Sequence, residues 1–82
     1  MKNKIKIAII GAGSVIFCPG TVCDILLSEY LSKLEVEVAL MDIDARALEV
    51  SGAYVAQVNA TAGNRLNLWT TLHLDKAIEN AD

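Results

Sequence analysis

Histidine is almost absent from this chain, and cysteine, proline and aromatic residues are scarce. One His and two Cys are too few for a zinc site built from such ligands. Cys18 and Cys23, five positions apart, match neither a metal-binding spacing nor the cysteine framework of a small secreted domain. They are expected to be reduced thiols of a cytoplasmic protein. An excess of positive charge is also missing. Seven Lys and Arg stand against ten Asp and Glu, with a net charge of −3 and a pI of about 4.9, so nucleic acid is not expected as a partner. No stretch reaches the roughly 20 apolar residues of a membrane-spanning helix, so no membrane partner is expected either. The opening MKNKIKIAII is basic and then apolar, but Ile7–Ile10 is short and runs into glycine without a small-residue cleavage pattern. Linkers, repeats and low-complexity segments are lacking too.

What is abundant is Ala, Ile, Leu and Val, within an apolar share of 54% over 82 residues. That length suits one small domain with a marginal core. Lys4 to Ile10 alternates and then becomes continuously apolar, the pattern of a strand buried on both faces in a parallel sheet. Gly11-Ala12-Gly13-Ser14 stops it. A helix is expected from about Pro19 to Tyr30, with Pro19 in the first turn, where its missing N–H costs nothing. Val22, Ile25, Leu26 and Glu29 share one face of it. EVALM, residues 37–41, reads as the second strand. Asp44 is a good N-cap for a helix starting at Ala45. Leu48, Ser51, Val55 and Val58 lie on one face of that helix, Gly52 allows close approach, and Gly63-Asn64 breaks it. Leu66 to Thr70 is a third strand, and Asp75 is expected to cap a third helix from Lys76 to about Ala81.

Strand–helix alternation of this kind implies a parallel sheet with right-handed crossovers. The predicted fold class is α/β: a Rossmann-type parallel sheet with helices, of which only the first βαβαβα half is present. Residues 1–82 are expected to be the N-terminal half of such a domain, truncated before the fourth strand. The first strand would belong mid-sheet, and an unpaired apolar edge is a liability. The isolated unit is therefore expected to associate or to stay loosely packed.

The chemistry points to the turn after the first strand. Gly11 and Gly13 fit the first two glycines of a dinucleotide-binding fingerprint, while Ile16 stands at the third. The first glycine permits a tight turn, the second lets the backbone approach a pyrophosphate, and free N–H groups with the helix dipole favour the negative charge. Asp42 ends the second strand 29 positions after Gly13. A carboxylate there can accept both ribose hydroxyls of an adenosine and repel a 2′-phosphate, which favours NAD over NADP. Arg46 reads as a solvated helix residue that could also lie over the adenine. His73 reads as a surface histidine and Trp69 as a packing residue. Glu29, Glu35, Glu37 and Glu49 show no pairing suited to acid–base work.

KIAIIGAGSVIF, then a helix containing CDILL, then VALMDID and a closing ENAD together resemble the NAD-dependent family 4 glycoside hydrolases over essentially the whole chain. Carried over by position, the resemblance implies Gly11, Gly13, Ser14, Val15 and Asp42 as matches to the cofactor motif, and Ile16 and Ile43 are expected to be cofactor-binding as well. It implies bound NAD⁺ that oxidises the sugar at C3, with a divalent metal, usually manganese, polarising the oxygens. The acidified C2 proton is then removed, the C1 substituent is eliminated, water adds and the hydride returns, which departs from ordinary two-carboxylate hydrolysis. It places the catalytic and metal-binding residues beyond residue 82, so Cys18, Cys23, His73, Tyr30 and Tyr54 are not substitutes for them. A small-molecule glycoside is the implied substrate, and the full-length parent is expected to be a homo-oligomer. LMDID is similar to the branch acting on unphosphorylated α-galactosides, α-glucosides or α-galacturonides, whereas Cys18-Pro19-Gly20 is similar to the 6-phospho branch. Two other readings stay open on the residues alone: a fragment of a malate- or lactate-type dehydrogenase, and a non-enzymatic nucleotide-binding remnant.

Overall fold

A computed structural model of the chain describes residues 3–14 and 17–82. Strand β1 (Lys4–Ile10) leads into α1 (Phe17–Leu27), then a 3-10 turn (Leu31–Lys33), β2 (Glu35–Met41), α2 (Ala45–Thr61), β3 (Leu66–Thr71) and α3 (Leu74–Ile78). The strands form one sheet in the order β1-β2-β3, and both pairings are parallel. The expected βαβαβα half of a Rossmann-type fold is what forms.

The two faces of β2 divide the core. Val36, Val38 and Leu40 pack with Val22, Ile25 and Leu26 of α1 and with Leu48 and Val55 of α2. Ala39 and Met41, on the opposite face, pack with Ala77 of α3. Alternate residues of a strand point to opposite faces, so the continuous apolar run of β2 serves both layers. Each fully buried Val or Leu contributes about 1.5–3 kcal/mol. This is why VEVALM reads as an almost unbroken apolar strand.

The helix placement follows from the strand order. The chain moves from β1 to β2 to β3 in one direction, so right-handed crossovers put α1 and α2 on the same face. α3 lies on the other face, as it must when the chain turns back across the sheet. After α3 the chain reaches β1: the Asp82 N–H donates to Lys6 O at 2.9 Å, and the Lys6 N–H donates to the Asp82 carboxylate at 2.8 Å. Asn3 O accepts from Glu35 and the Gly11 N–H donates to Met41 O, so the odd residues of β1 face β2. Lys6, an even residue, therefore meets Asp82 on the edge away from β2. Its ammonium donates to the carbonyls of Lys76 and Glu79 at the end of α3 and lies 5.2 Å from the centre of the Trp69 ring. A cation at a helix C-terminus offsets the unsatisfied carbonyls and the dipole.

Several boundaries differ from the sequence expectation, each for a local reason. β1 is half-buried rather than buried on both faces, because as an edge strand it is covered from above and below but not from its side. α1 starts at Phe17 and ends at Leu27, keeping Pro19 in the first turn. Glu29 and Tyr30 fall outside the helix, and Tyr30 instead begins the 3-10 turn. Asp75 lies inside the first turn of α3 rather than capping it. The cap position is His73, with no side-chain cap bond, and Asn80 at φ 58 ends that segment. Asp44 does cap α2, accepting from the Ala47 N–H. Gly52 brings α2 close to β3: a Cβ there would meet Thr70 Cγ2 at 3.1 Å. Among the described residues no helix is long and apolar enough to cross a membrane.

One buried amide was not anticipated. Asn59 donates to Leu66 O at 2.9 Å and accepts from the Leu66 N–H at 3.0 Å, so its side chain acts as a strand partner where β3 begins. Asn59→Ala removes both bonds and strands two buried backbone groups. It should cost about 2–4 kcal/mol, read as a lower urea midpoint. Unchanged stability would show that water reaches these groups freely.

Candidate functional site: the glycine turn and Asp42

The C-terminal ends of β1 and β2 build the site. Gly11 takes φ +80, a left-handed conformation that glycine adopts without penalty, and this turns the chain sharply out of β1. The N–H groups of Gly11 and Ala12 both donate to Met41 O, at 2.9 and 2.8 Å. Ala12 is fully buried against the α1–α2 layer. The Gly13 N–H donates to Asp42 Oδ2 at 2.9 Å, and the Ser14 N–H donates to Gly11 O at 3.2 Å. Ser14 O in turn accepts from Cys18 in the first turn of α1.

Asp42 is held from both sides. Its own N–H donates to Thr71 O at the end of β3, and its Oδ1 accepts from the Asp44 N–H at 2.9 Å. The Asp44 and Gly13 N–H groups keep the Asp42 carboxyl below the ordinary carboxylate range, against a smaller opposing effect of burial. A depressed folded-state pKa makes this stabilisation complete above the ordinary aspartate range. It is lost as pH falls through the folded value. At neutral pH the group is an anion that only accepts hydrogen bonds.

The structure brings Gly11, Gly13, Ser14 and Asp42 together, as expected. Val15 and Ile16 lie outside the described residues. Ile43, next to Asp42, is 87% exposed, an apolar side chain at the rim of the sheet. Arg46 lines a shallow depression of about 350 Å³ with Gly13, Asp44, Ala47 and Val50. His73 is exposed. Trp69 packs beneath α3, and its indole N–H donates to Glu37 at 2.6 Å. Cys18 is buried, which pushes its thiol up. Among the described residues no group of three or more His, Cys, Asp or Glu side chains is arranged to hold a metal ion.

Two findings revise the reading of the turn. The N–H groups of Gly11, Ala12, Gly13 and Ser14 are all engaged within the protein, so the expected free donors for a pyrophosphate are not in this part of the turn. The second glycine is required by protein contacts: a Cβ on Gly13 would lie 2.8 Å from Asp42 Oδ2 and 2.9 Å from Ala47 Cβ. Ala47 was not anticipated. Its only signal in the sequence is a small residue three positions after the cap. The Met41 carbonyl carries no signal at all.

These contacts separate two glycines. Gly13→Ala should destabilise the fold, because the Ala47 Cβ is fixed to helix backbone and cannot swing aside. Gly20, inside α1, has open space where a Cβ would stand, with nothing within 4 Å, so Gly20→Ala should stabilise by about 0.5–1 kcal/mol. Thermal unfolding of both variants checks this, and an unaffected Gly13→Ala protein would contradict the clash.

The family 4 glycosyl hydrolase sequence profile matches residues 6–82. Among solved structures, the chain is similar to a 6-phospho-alpha-glucosidase from gut microorganisms, determined in complex with NAD and Mn2+. The TM-score is 0.81 at 23% identity, over 96% of this chain and 18% of the other. At that identity the likeness shows the fold. Comparison with curated proteins finds no match. The profile spans nearly the entire chain, and its matched segment contains the whole turn and Asp42, so the chain belongs to the family 4 glycosyl hydrolases.

Proposed function

We propose that this chain is the front half of the NAD-binding domain of a longer glycosidase, and that its own part is to hold the adenosine side of the cofactor. The observation that carries the proposal is the ionised Asp42 carboxylate at the end of β2, set against the glycine turn at 2.9 Å. The sheet supports the location. The chain reverses direction across β1, and open α/β sheets bind ligands at the carboxyl ends of the strands where that reversal occurs. The turn and Asp42 lie at this end.

Each residue then has a defined task. Asp42 has used one hydrogen-bonding position on each oxygen, and a carboxylate offers about four, so both ribose hydroxyls can be accepted. A 2′-phosphate beside this anion would be repelled, which favours NAD over NADP. The exposed Ile43 side chain offers an apolar surface for the adenine. The phosphates lie near the start of α1, where helix N–H groups and the dipole favour negative charge. The described residues do not fit a metal site, so the metal ligands are assigned to other segments of the longer protein. β1 is an edge strand met by Asp82 at Lys6, which supports a further strand beside it in that protein.

The reaction class proposed for the longer protein is hydrolysis of a small-molecule glycoside. Bound NAD would supply a reversible hydride acceptor for the sugar ring. The part assigned to this chain is to anchor the cofactor, so residues 1–82 alone should not hydrolyse glycosides. The longer enzyme, stripped of nucleotide and treated with chelator, should lose cleavage of a nitrophenyl α-glycoside and regain it when NAD⁺ and Mn²⁺ are both restored. Full-rate cleavage by the stripped enzyme would contradict the proposal. Sustained net NADH production from a 2-hydroxy acid would identify a dehydrogenase instead.

A further inference from the structure

The Asp42 carboxylate already has work to do without a ligand. Oδ2 accepts from Gly13 in the turn, and Oδ1 accepts from Asp44 at the entry to α2. The preceding residue, Met41, receives Gly11 and Ala12 through its carbonyl. Adjacent residues at the end of β2 therefore hold successive parts of the turn: Met41 the first half and Asp42 the second. A side chain at position 13 would occupy the space through which this bond passes. The ionisable side chains on the segments bordering Asp42 are Asp44, Arg46 and His73, and Gly11–Ser14 carries none.

We propose that Asp42 is a positioning residue for the glycine turn as well as a ribose acceptor, so that the turn keeps its nucleotide-ready shape before any ligand arrives. This rests on the nucleotide reading only for its ligand half. Its consequence is specific. Loss of the Asp42 carboxylate should weaken binding of ligands that have no ribose hydroxyl to offer it, because Gly13 loses its side-chain tether to β2 and the following entry to α1 shifts with it.

Two measurements test this. The first follows the Gly13, Asp44 and Ala47 amides of the longer enzyme, labelled with 15N at Gly, Asp and Ala, without nucleotide, as a function of pH. The Gly13 resonance should move with a midpoint below the ordinary aspartate range, and the Asp44 amide should show a component with the same midpoint beside that of its own carboxylate. Asp42→Asn should abolish the Gly13 movement and that shared component. The Ala47 amide, which donates to Asp44, reports the neighbouring carboxylate separately. A Gly13 resonance that does not move with Asp44 would overturn the proposal without requiring any variant to fold. The second compares ADP-ribose with its counterpart lacking the adenosine 2′- and 3′-hydroxyls. Asp42→Asn should weaken both ligands, the dideoxy compound by about tenfold, as expected for loss of a hydrogen bond to a charged group. Unchanged affinity for the dideoxy compound would confine Asp42 to the ribose and overturn the proposal. If the longer wild-type enzyme bound neither ligand while the amide titration held, the nucleotide reading would fail and the positioning role would stand.

Discussion

The hydrogen bond from the Gly13 N–H to the Asp42 carboxylate is the contact on which the site depends. It joins the turn after β1 to the end of β2, and its length of 2.9 Å is possible only because position 13 has no side chain. Charge-assisted bonds of this kind are stronger than neutral ones. The same carboxylate also fixes the start of α2 through Asp44. One anion thus sets the relative positions of a strand end, a turn and a helix entry, the parts from which a nucleotide site of this fold is made.

The sheet places that contact where a ligand can reach it. Two helices cover one face and α3 covers the other, because the chain reverses direction after β3 and returns to β1 at Lys6. Lys6 links these features: its backbone meets Asp82, and its ammonium holds the end of α3 beside Trp69. The carboxyl ends of β1 and β2 stay open at the point of reversal. Burial of Val38, Leu40 and Ala39 makes the sheet rigid below, and the open end carries the polar chemistry.

Much of this was legible in the sequence because it rests on local rules. A buried parallel strand reads as an apolar run, so β2 was visible in EVALM. Asp44 precedes a helical pattern and caps it. Gly11 stands where a strand must turn sharply, and Asp42 where a carboxylate faces the turn. The missed features depend on distant partners. Nothing in the local pattern shows that Asn59 pairs with Leu66, that Lys6 reaches the end of α3, or that Ala47 closes on Gly13. The protein contacts that require a glycine at position 13 were missed for the same reason: a Cβ there would meet the Asp42 carboxylate and Ala47. The termini of α1 and α3 shifted because turn geometry at Tyr30, His73 and Asn80 decided them, where helical periodicity carries no information.

The central claim is that Asp42 receives the adenosine ribose of NAD. Titration calorimetry of the longer enzyme and its Asp42→Ala variant, with NAD⁺ and with NADP⁺, tests it most directly. The account predicts that the variant loses affinity for NAD⁺ far more than for NADP⁺, because removing the anion deletes the ribose acceptor and also relieves repulsion of the 2′-phosphate. Equal losses for the two cofactors would contradict the ribose assignment.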